Sequence, residues 1–242
     1  MADNYTRKEM KYMVSGAVLE VLQRELEPYL KKDKFFFERI HNIYYDNDFD
    51  DLICTSIQKP VFKEKMRLRG YEFEGEMFPY VYAEAKRKFK GIVYKRRTRF
   101  PMSELETFLS GKKSPAEVLG DSQVAQEICF LIDKTRCYPK LYLSYDRYSY
   151  RAKNEEEDLR LTVDSNIVSR TELLNLSVNP KLDVPLIGSD DYLMEIKTGF
   201  AFPLWLTEIL TRYKIFPVSF SKYGRIYEKS LRDTPLKESC YV

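Results

Sequence analysis

The sequence predicts an α+β fold built mainly from antiparallel strands, and three observations carry that prediction. Eight segments read as strands, and seven of them alternate a charged row with a mostly apolar one at the period of two that strands impose on their side chains. Short stretches with helix caps and helical apolar spacing interrupt them. Aromatic residues make up 14% of the 242 positions, mainly 19 Tyr and 15 Phe, which suits flat rings packed on a pleated surface.

The elements follow in order. "YTRKEMKYMV" (5–14) is the first strand, and Ser15 then caps a helix whose Val18, Leu19, Leu22, Leu26 and Tyr29 share one side. Strands are expected next at "RIHNIYYD" (39–46), "VFKEKMRLRGYEF" (61–73), "YVYAEAKRKF" (80–89) and "IVYKRRTRF" (92–100). Ser103 and Glu106 read as the capping box of a helix ending at Gly111. Ser114 and Glu117 read as a second box, with Pro115 at the first helical position. "KLYLSYDRYSYR" (140–151), "LRLTVDS" (159–165) and "DYLMEIKTG" (191–199) complete the eight strands. Pro203 opens an apolar helix in "FPLWLTEILTRY" (202–213). No repeat, low-complexity tract or Gly/Ser linker interrupts the chain, so one domain is expected over 1–242.

Composition excludes several classes. Cys54, Cys129, Cys137 and Cys240 lack both the CxxC spacing of a zinc site and the density of a disulfide scaffold, which fits a reducing compartment. A single histidine, His41, argues against a histidine metal cage or a Ser-His triad. No apolar run approaches the roughly 20 residues of a membrane span, and the N-terminus lacks the apolar core of a signal peptide. A cytoplasmic protein without a membrane partner is expected.

The formal net charge of +3 conceals a segregation. Between Lys63 and Arg99 stand twelve Lys or Arg against five acids, and from Lys86 to Arg99 eight basic residues and no acid. The strand period sorts them into rows: Arg7, Glu9 and Lys11; Lys65, Arg67 and Arg69; Glu84, Lys86 and Lys88; Lys95, Arg97 and Arg99. Tyr145 with Arg147, Arg160 with Thr162 and Asp164, and Glu195 with Lys197 continue the pattern. An antiparallel sheet with one solvated face gives such alternation. So does a closed barrel with charged rows inside and helices covering the apolar rows, provided a polyanion and water offset the inward cations. Periodicity alone does not choose between them.

The strings "KEMKY", "KMRLR", "AEAKRKFKGIVYKRR", "YDRYSYR", "LRLTVD", "MEIKTG" and "FSKYG" occur in the order seen in the polyphosphate-polymerase domain of the vacuolar transporter chaperone (VTC) family. That family lies within the triphosphate tunnel metalloenzyme (CYTH-like) superfamily. The resemblance runs from about Tyr5 to Tyr223. It implies an eight-stranded antiparallel β-barrel tunnel with a basic interior and helices packed outside. The activity implied is transfer of the γ-phosphoryl of ATP onto inorganic polyphosphate, assisted by Mn²⁺ or Mg²⁺. Carried over residue by residue, the phosphate-binding set is Lys11, Lys65, Arg67, Arg69, Lys86, Lys95, Arg97, Arg147, Arg160, Lys197 and Lys222, with Glu195 on the metal. Within this set Lys65, Arg67, Lys86, Arg147 and Glu195 are the catalytic candidates. Arginine offers a planar fork to two phosphate oxygens, and lysine a mobile point charge. A hard cation wants oxygen ligands and keeps waters and phosphate oxygens in its shell, so one carboxylate suffices. Glu9 and Glu84 are read as orienting neighbouring cations.

The chain departs from the pattern in two places. Hydrolytic members of the superfamily open with Glu-x-Glu-x-Lys, whereas Arg7 stands first here before Glu9 and Lys11. Losing that carboxylate weakens the case for a second metal and favours transfer to phosphate over hydrolysis. Ser219 stands where the family often has a lysine near the Phe-Ser-Lys end. No phosphate-sensing SPX domain or membrane helix is recognised, so a free-standing soluble form is expected. The expected partners are ATP and inorganic polyphosphate or triphosphate. Nucleic acid is disfavoured, because the tyrosines of "YSY" and "IYY" suit barrel packing as well as base stacking. A triphosphatase of the same fold and a non-enzymatic polyanion-binding module are the alternatives.

Overall fold

The computed structural model describes residues 8–58, 60–90 and 92–233. Arg7, named above as the departure in the first strand, lies outside the described residues, as does Cys240. Among the described residues ten strands form one sheet. They are β1 (Lys8–Ser15), β2 (Leu30–Asp46), β3 (Phe62–Phe73), β4 (Glu76–Met77), β5 (Tyr80–Phe89), β6 (Ile92–Pro101), β7 (Tyr138–Ala152), β8 (Leu159–Arg170), β9 (Val184–Pro185) and β10 (Asp191–Thr198). Seven α-helices accompany them among the described residues: α1 (Gly16–Leu26), α2 (Asp51–Ile57), α3 (Leu105–Leu109), α4 (Pro115–Leu119), α5 (Gln123–Thr135), α6 (Leu204–Arg212) and α7 (Lys222–Asp233).

The strand order is β1-β10-β8-β7-β2-β3-β5-β6, with β4 on β3 and β9 on β8. Every ladder with a described register is antiparallel. The α+β class and the antiparallel sheet are as expected. The order has β1 and β6 as its ends, and no ladder joins them among the described residues.

Two compact units divide the fold. The first comprises the described residues up to Arg39 with Tyr145–Ile167 and Ile187–Phe220; the second comprises Ile40–Ser144, Val168–Leu186 and the residues from Ser221 onward. In the first unit the apolar rows of β1, β8 and β10, namely Tyr12, Val14, Leu159, Leu161, Val163, Met194 and Ile196, bury against Leu22 and Leu26 of α1 and Leu206, Ile209 and Leu210 of α6. In the second, Met66 and Leu68 of β3 and Val81, Ala83 and Ala85 of β5 bury against Phe108 of α3, Leu119 of α4 and Ile128 and Leu131 of α5. Since the side-chain period is two, covering these rows with helices turns the charged rows to the uncovered face.

Local chemistry sets some boundaries, while Ser15, at the N-cap position of α1, makes no side-chain cap bond. Ser114 accepts from the Glu117 backbone N–H while Glu117 accepts from that of Ser114, with Pro115 following, so this capping box is as expected. Ser103 corrects an expectation. Met102–Glu104 forms a 3₁₀ turn after Pro101, α3 begins only at Leu105, and no side-chain cap bond is made. Tyr29 lies beyond the end of α1 and stacks on Trp205, with ring centroids 4.2 Å apart. β2 begins at Leu30, nine residues before the expected strand at Arg39.

Asp46 organises one corner of the second unit. Its carboxylate accepts from the backbone N–H groups of Leu52 and Ile53 in α2 and from the Tyr223 hydroxyl of α7.

Candidate active site

In the second unit, register sets three rows across β3, β5 and β6: Lys65–Lys86–Lys95, Arg67–Glu84–Arg97 and Arg69–Tyr82–Arg99. Residues directly opposite on neighbouring strands share a face, so this is a basic grid with one carboxylate at its centre. The Glu84 side chain is 1% exposed. Arg67 donates to Glu84 Oε2 from Nε at 2.8 Å, and its Nη2 stands 2.6 Å from the same oxygen. Lys95 Nζ lies 2.7 Å from Oε1 and Arg97 Nη1 4.0 Å from it. Burial would raise the carboxyl, but Arg67, Arg69 and Lys95 outweigh it and hold Glu84 down to about 2. Burial pushes the Lys95 amine below the ordinary lysine range; Glu84 pulls it back up, while Arg69 and Arg67 add to the downward push. With 43% of that side chain exposed, water tempers the effect.

Other partners fix several of the remaining cations. Arg69, buried, donates from Nε to Asn42 Oδ1 at 2.9 Å. Lys65 donates to Ser221 Oγ at 3.4 Å, and the same hydroxyl accepts from the Gly224 backbone at the start of α7. Lys222, the first residue of α7, is half-buried. Arg97 lies over the Tyr82 ring at 4.5 Å. Arg67 also donates from Nη1 to the Tyr44 hydroxyl at 3.1 Å.

In the first unit, the ladders of β1, β10 and β8 align Glu9–Lys197–Arg160 and Lys11–Glu195–Thr162. Glu9 and Glu195 alternate with Lys11 and Lys197 in a four-membered ring of ion pairs. Lys197 Nζ is 2.7 Å from Glu195 and 3.5 Å from Glu9; Lys11 Nζ is 3.7 Å and 3.5 Å from the same two. Lys11 also donates to the Phe220 carbonyl at 3.0 Å. The Glu195 side chain is 9% exposed. Burial opposes its ionisation, but Lys197, Lys11 and Arg147 outweigh burial and hold it well below the usual carboxylate range. Arg147 makes a bidentate pair with the buried Asp164, Nε to Oδ1 at 2.6 Å and Nη2 to Oδ2 at 2.8 Å. Arg160 reaches Ser149 Oγ at 3.4 Å and Asp33 at 3.5 Å.

The surroundings of Glu195 fit a hard divalent ion. The Thr162 hydroxyl, directly across the ladder from Glu195, is buried without a hydrogen-bond partner. An ionised carboxylate beside an unsatisfied hydroxyl offers oxygen donors of the kind Mg²⁺ and Mn²⁺ accept, with waters and phosphate oxygens completing the shell. No group of three or more His, Cys, Asp or Glu able to hold a metal occurs among the described residues, so an all-protein cage is not built there.

The structure thus gathers the sequence-predicted residues into a basic grid in the second unit and a charge-balanced set of ion pairs in the first. Lys65, Arg67, Arg69, Lys86, Lys95, Arg97 and Lys222 belong to the second unit, and Lys11, Arg147, Arg160, Lys197 and Glu195 to the first. Glu84 and Glu9 each pair with cations of their own unit. Tyr44, Asn42, Ser221 and the pairing of Arg147 with Asp164 were not anticipated. The only sequence signal for Tyr44 is its place two residues before Asp46 in "IYYD".

The family model of the VTC domain matches residues 6–231. The chain belongs to the VTC domain family. No curated protein matches it. Among solved structures, a Bacillus halodurans protein provisionally named an adenylate cyclase superposes with a TM-score of 0.51 at 15% identity, covering 89% of this VTC domain chain and 95% of its own. The PH1819 protein of Pyrococcus horikoshii gives 0.48 at 15% identity, covering 92% and 99%. The first of these likenesses places the chain in the same fold. No helix is long and apolar enough to cross a membrane among the described residues.

Proposed function

We propose that this VTC domain is an ATP-dependent polyphosphate polymerase that transfers the γ-phosphoryl of ATP onto the terminal phosphate of a growing polyphosphate chain. The observation that carries the reading is the row Lys65–Lys86–Lys95, three lysines at directly opposed ladder positions on adjacent strands. Like charges in that position cost up to about 1 kcal/mol per pair, a cost that a bound polyanion offsets. The reading includes closure of the sheet into the eight-stranded tunnel that the family resemblance implies, with the basic rows inside.

Transfer between phosphates asks little covalent work of the protein. Charge spreads over the moving phosphoryl and the bridging oxygens, so positioning and cations supply most of the catalysis. Lys65, Arg67 and Lys86 hold the phosphates in line, while Glu84 keeps the Arg67 fork oriented. Arg147 acts with its charge fixed by Asp164. No general base is needed, because the attacking terminal phosphate is already anionic. Mn²⁺ or Mg²⁺, held by Glu195 with Thr162 beside it, would neutralise charge on the transferring group.

Incubation of purified protein with ATP and Mn²⁺, followed by gel analysis for polyphosphate and an assay for free phosphate, tests the reading. Long polyphosphate supports it. Free phosphate alone makes the protein a triphosphatase, and tight tripolyphosphate binding with neither product makes it a binding module.

A further inference from the structure

We propose that Tyr44 is a proton-exchanging ligand of the polyanion site: its phenolate serves as counter-ion to the β3 cations in the free protein, and its hydroxyl takes up a proton to donate to a phosphate oxygen when polyanion binds. This rests on the polyphosphate reading and adds a residue and a proton to it. The geometry is that of a phenol oxygen aimed into a cationic row. Arg67 Nη1 donates to Tyr44 Oη at 3.1 Å, and the Arg67 guanidinium carbon lies 5.8 Å from the ring centroid.

The remaining groups around Tyr44 come from several elements. Lys65 and Arg69 on β3 add positive charge. Glu84 of β5 pairs with Arg67, and Lys95 of β6 pairs with Glu84. From α7 comes Tyr223, whose ring is 5.1 Å away and whose hydroxyl is given to Asp46. Tyr44 packs against the buried cluster of Ile53 of α2, Leu141 of β7 and Tyr223. Burial would raise the phenol, yet Arg67, Arg69 and Lys65 together bring Tyr44 down to about 7. Its neighbour Tyr223 goes the other way, pushed up by burial and by Asp46.

A bound phosphate chain brings negative charge to Lys65, Arg67 and Arg69. A phenolate would then repel it, whereas a neutral hydroxyl can donate to it. The exchange is balanced: one proton moves from solvent to Tyr44 Oη for each anion bound above the phenol pKa, and no bond to phosphorus changes.

The test uses tripolyphosphate as probe, the wild-type protein and Tyr44→Phe, which keeps the ring and removes the ionisation. Absorbance at 295 nm should show one phenol titrating near neutrality in the wild type and none in Tyr44→Phe. The Kd for tripolyphosphate should rise between pH 6 and pH 8 by about 10-fold more in the wild type than in the variant, the effect of one linked proton; titration of the probe itself and of Lys95 is common to both and cancels. Absence of the near-neutral step, or an equal pH dependence of the two Kd values, overturns the role of Tyr44 and leaves the polyphosphate reading standing. No tripolyphosphate binding by either protein overturns both.

Discussion

Glu84 of β5 lies directly across the ladder from Arg67 of β3, with Arg67 Nη2 2.6 Å from its carboxylate. On the other side the same residue faces Arg97 of β6. A single buried carboxylate therefore organises guanidinium groups from both neighbouring strands, with Lys95 on its second oxygen.

Removing that charge as Glu84→Gln leaves cations facing one another. Breaking such a pair should cost about 3 kcal/mol, read as a lower urea midpoint. Tripolyphosphate should then recover more stability in the variant than in the wild type, because it replaces the missing anion.

The pH dependence of stability has a definite sign at Glu84. Its folded-state value of about 2 lies below the ordinary 4.5, so its contribution is complete above 4.5 and is lost as pH falls towards 2. Urea midpoints measured across that window should fall more steeply for the wild type than for Glu84→Gln. Parallel curves would mean that the carboxylate is not held ionised by its neighbours.

Charge reversal separates a ligand-facing row from a solvated one. Arg67→Glu should weaken tripolyphosphate binding by several kcal/mol, since desolvated charged contacts are each worth roughly 2 to 5. Lys32→Glu is the control, because Lys32 lies exposed on β2 and touches the ring of Phe36. Equally small effects on Kd would return the basic rows to the role of a solvated face.

Glu195→Gln tests the metal assignment. Lys11 and Lys197 would keep their rows, and tripolyphosphate should bind as well or better with one repelling carboxylate gone. Metal-dependent turnover of ATP should fall by on the order of 100-fold, the scale of losing one stabiliser worth about 3 kcal/mol. Unchanged turnover would end the assignment.

Asp46→Ala should destabilise the corner where α2 and α7 meet the sheet. The backbone N–H groups of Asn47, Leu52 and Ile53 and the Tyr223 hydroxyl lose a carboxylate acceptor. A loss of roughly 3 kcal/mol is expected from bonds of this type, measured as a shift in urea midpoint, with Tyr223→Phe losing about half as much.

The charged rows were legible because a period of two is written directly into residues such as Lys65, Arg67 and Arg69. Once β3, β5 and β6 were recognised, their shared face followed. Which cation each carboxylate takes was not legible, since the pairing of Glu84 with Arg67 depends on register between strands. The first half of β2 was hidden by Lys31, Lys32, Asp33 and Lys34, which break the alternation before Phe35. α5 was hidden for the opposite reason: "ICFLI" reads as a plain apolar run, and only Ala125, Ile128 and Leu131 at helical spacing reveal the buried side. Ser103 misled because a Ser-x-x-Glu pattern does not report the 3₁₀ turn that follows Pro101.

The row Lys65–Lys86–Lys95 has a practical consequence at the bench. Three lysines at opposed ladder positions should attract small oxyanions, so inorganic phosphate or sulfate in a buffer is expected to compete with tripolyphosphate for the row. Ionic strength adds a second loss, because a Debye length of roughly 8 Å at physiological salt already screens the outer parts of such a field. Assays in dilute, oxyanion-free buffer should therefore give higher apparent affinity than assays in phosphate at equal ionic strength, and the difference between them measures occupancy of the grid itself.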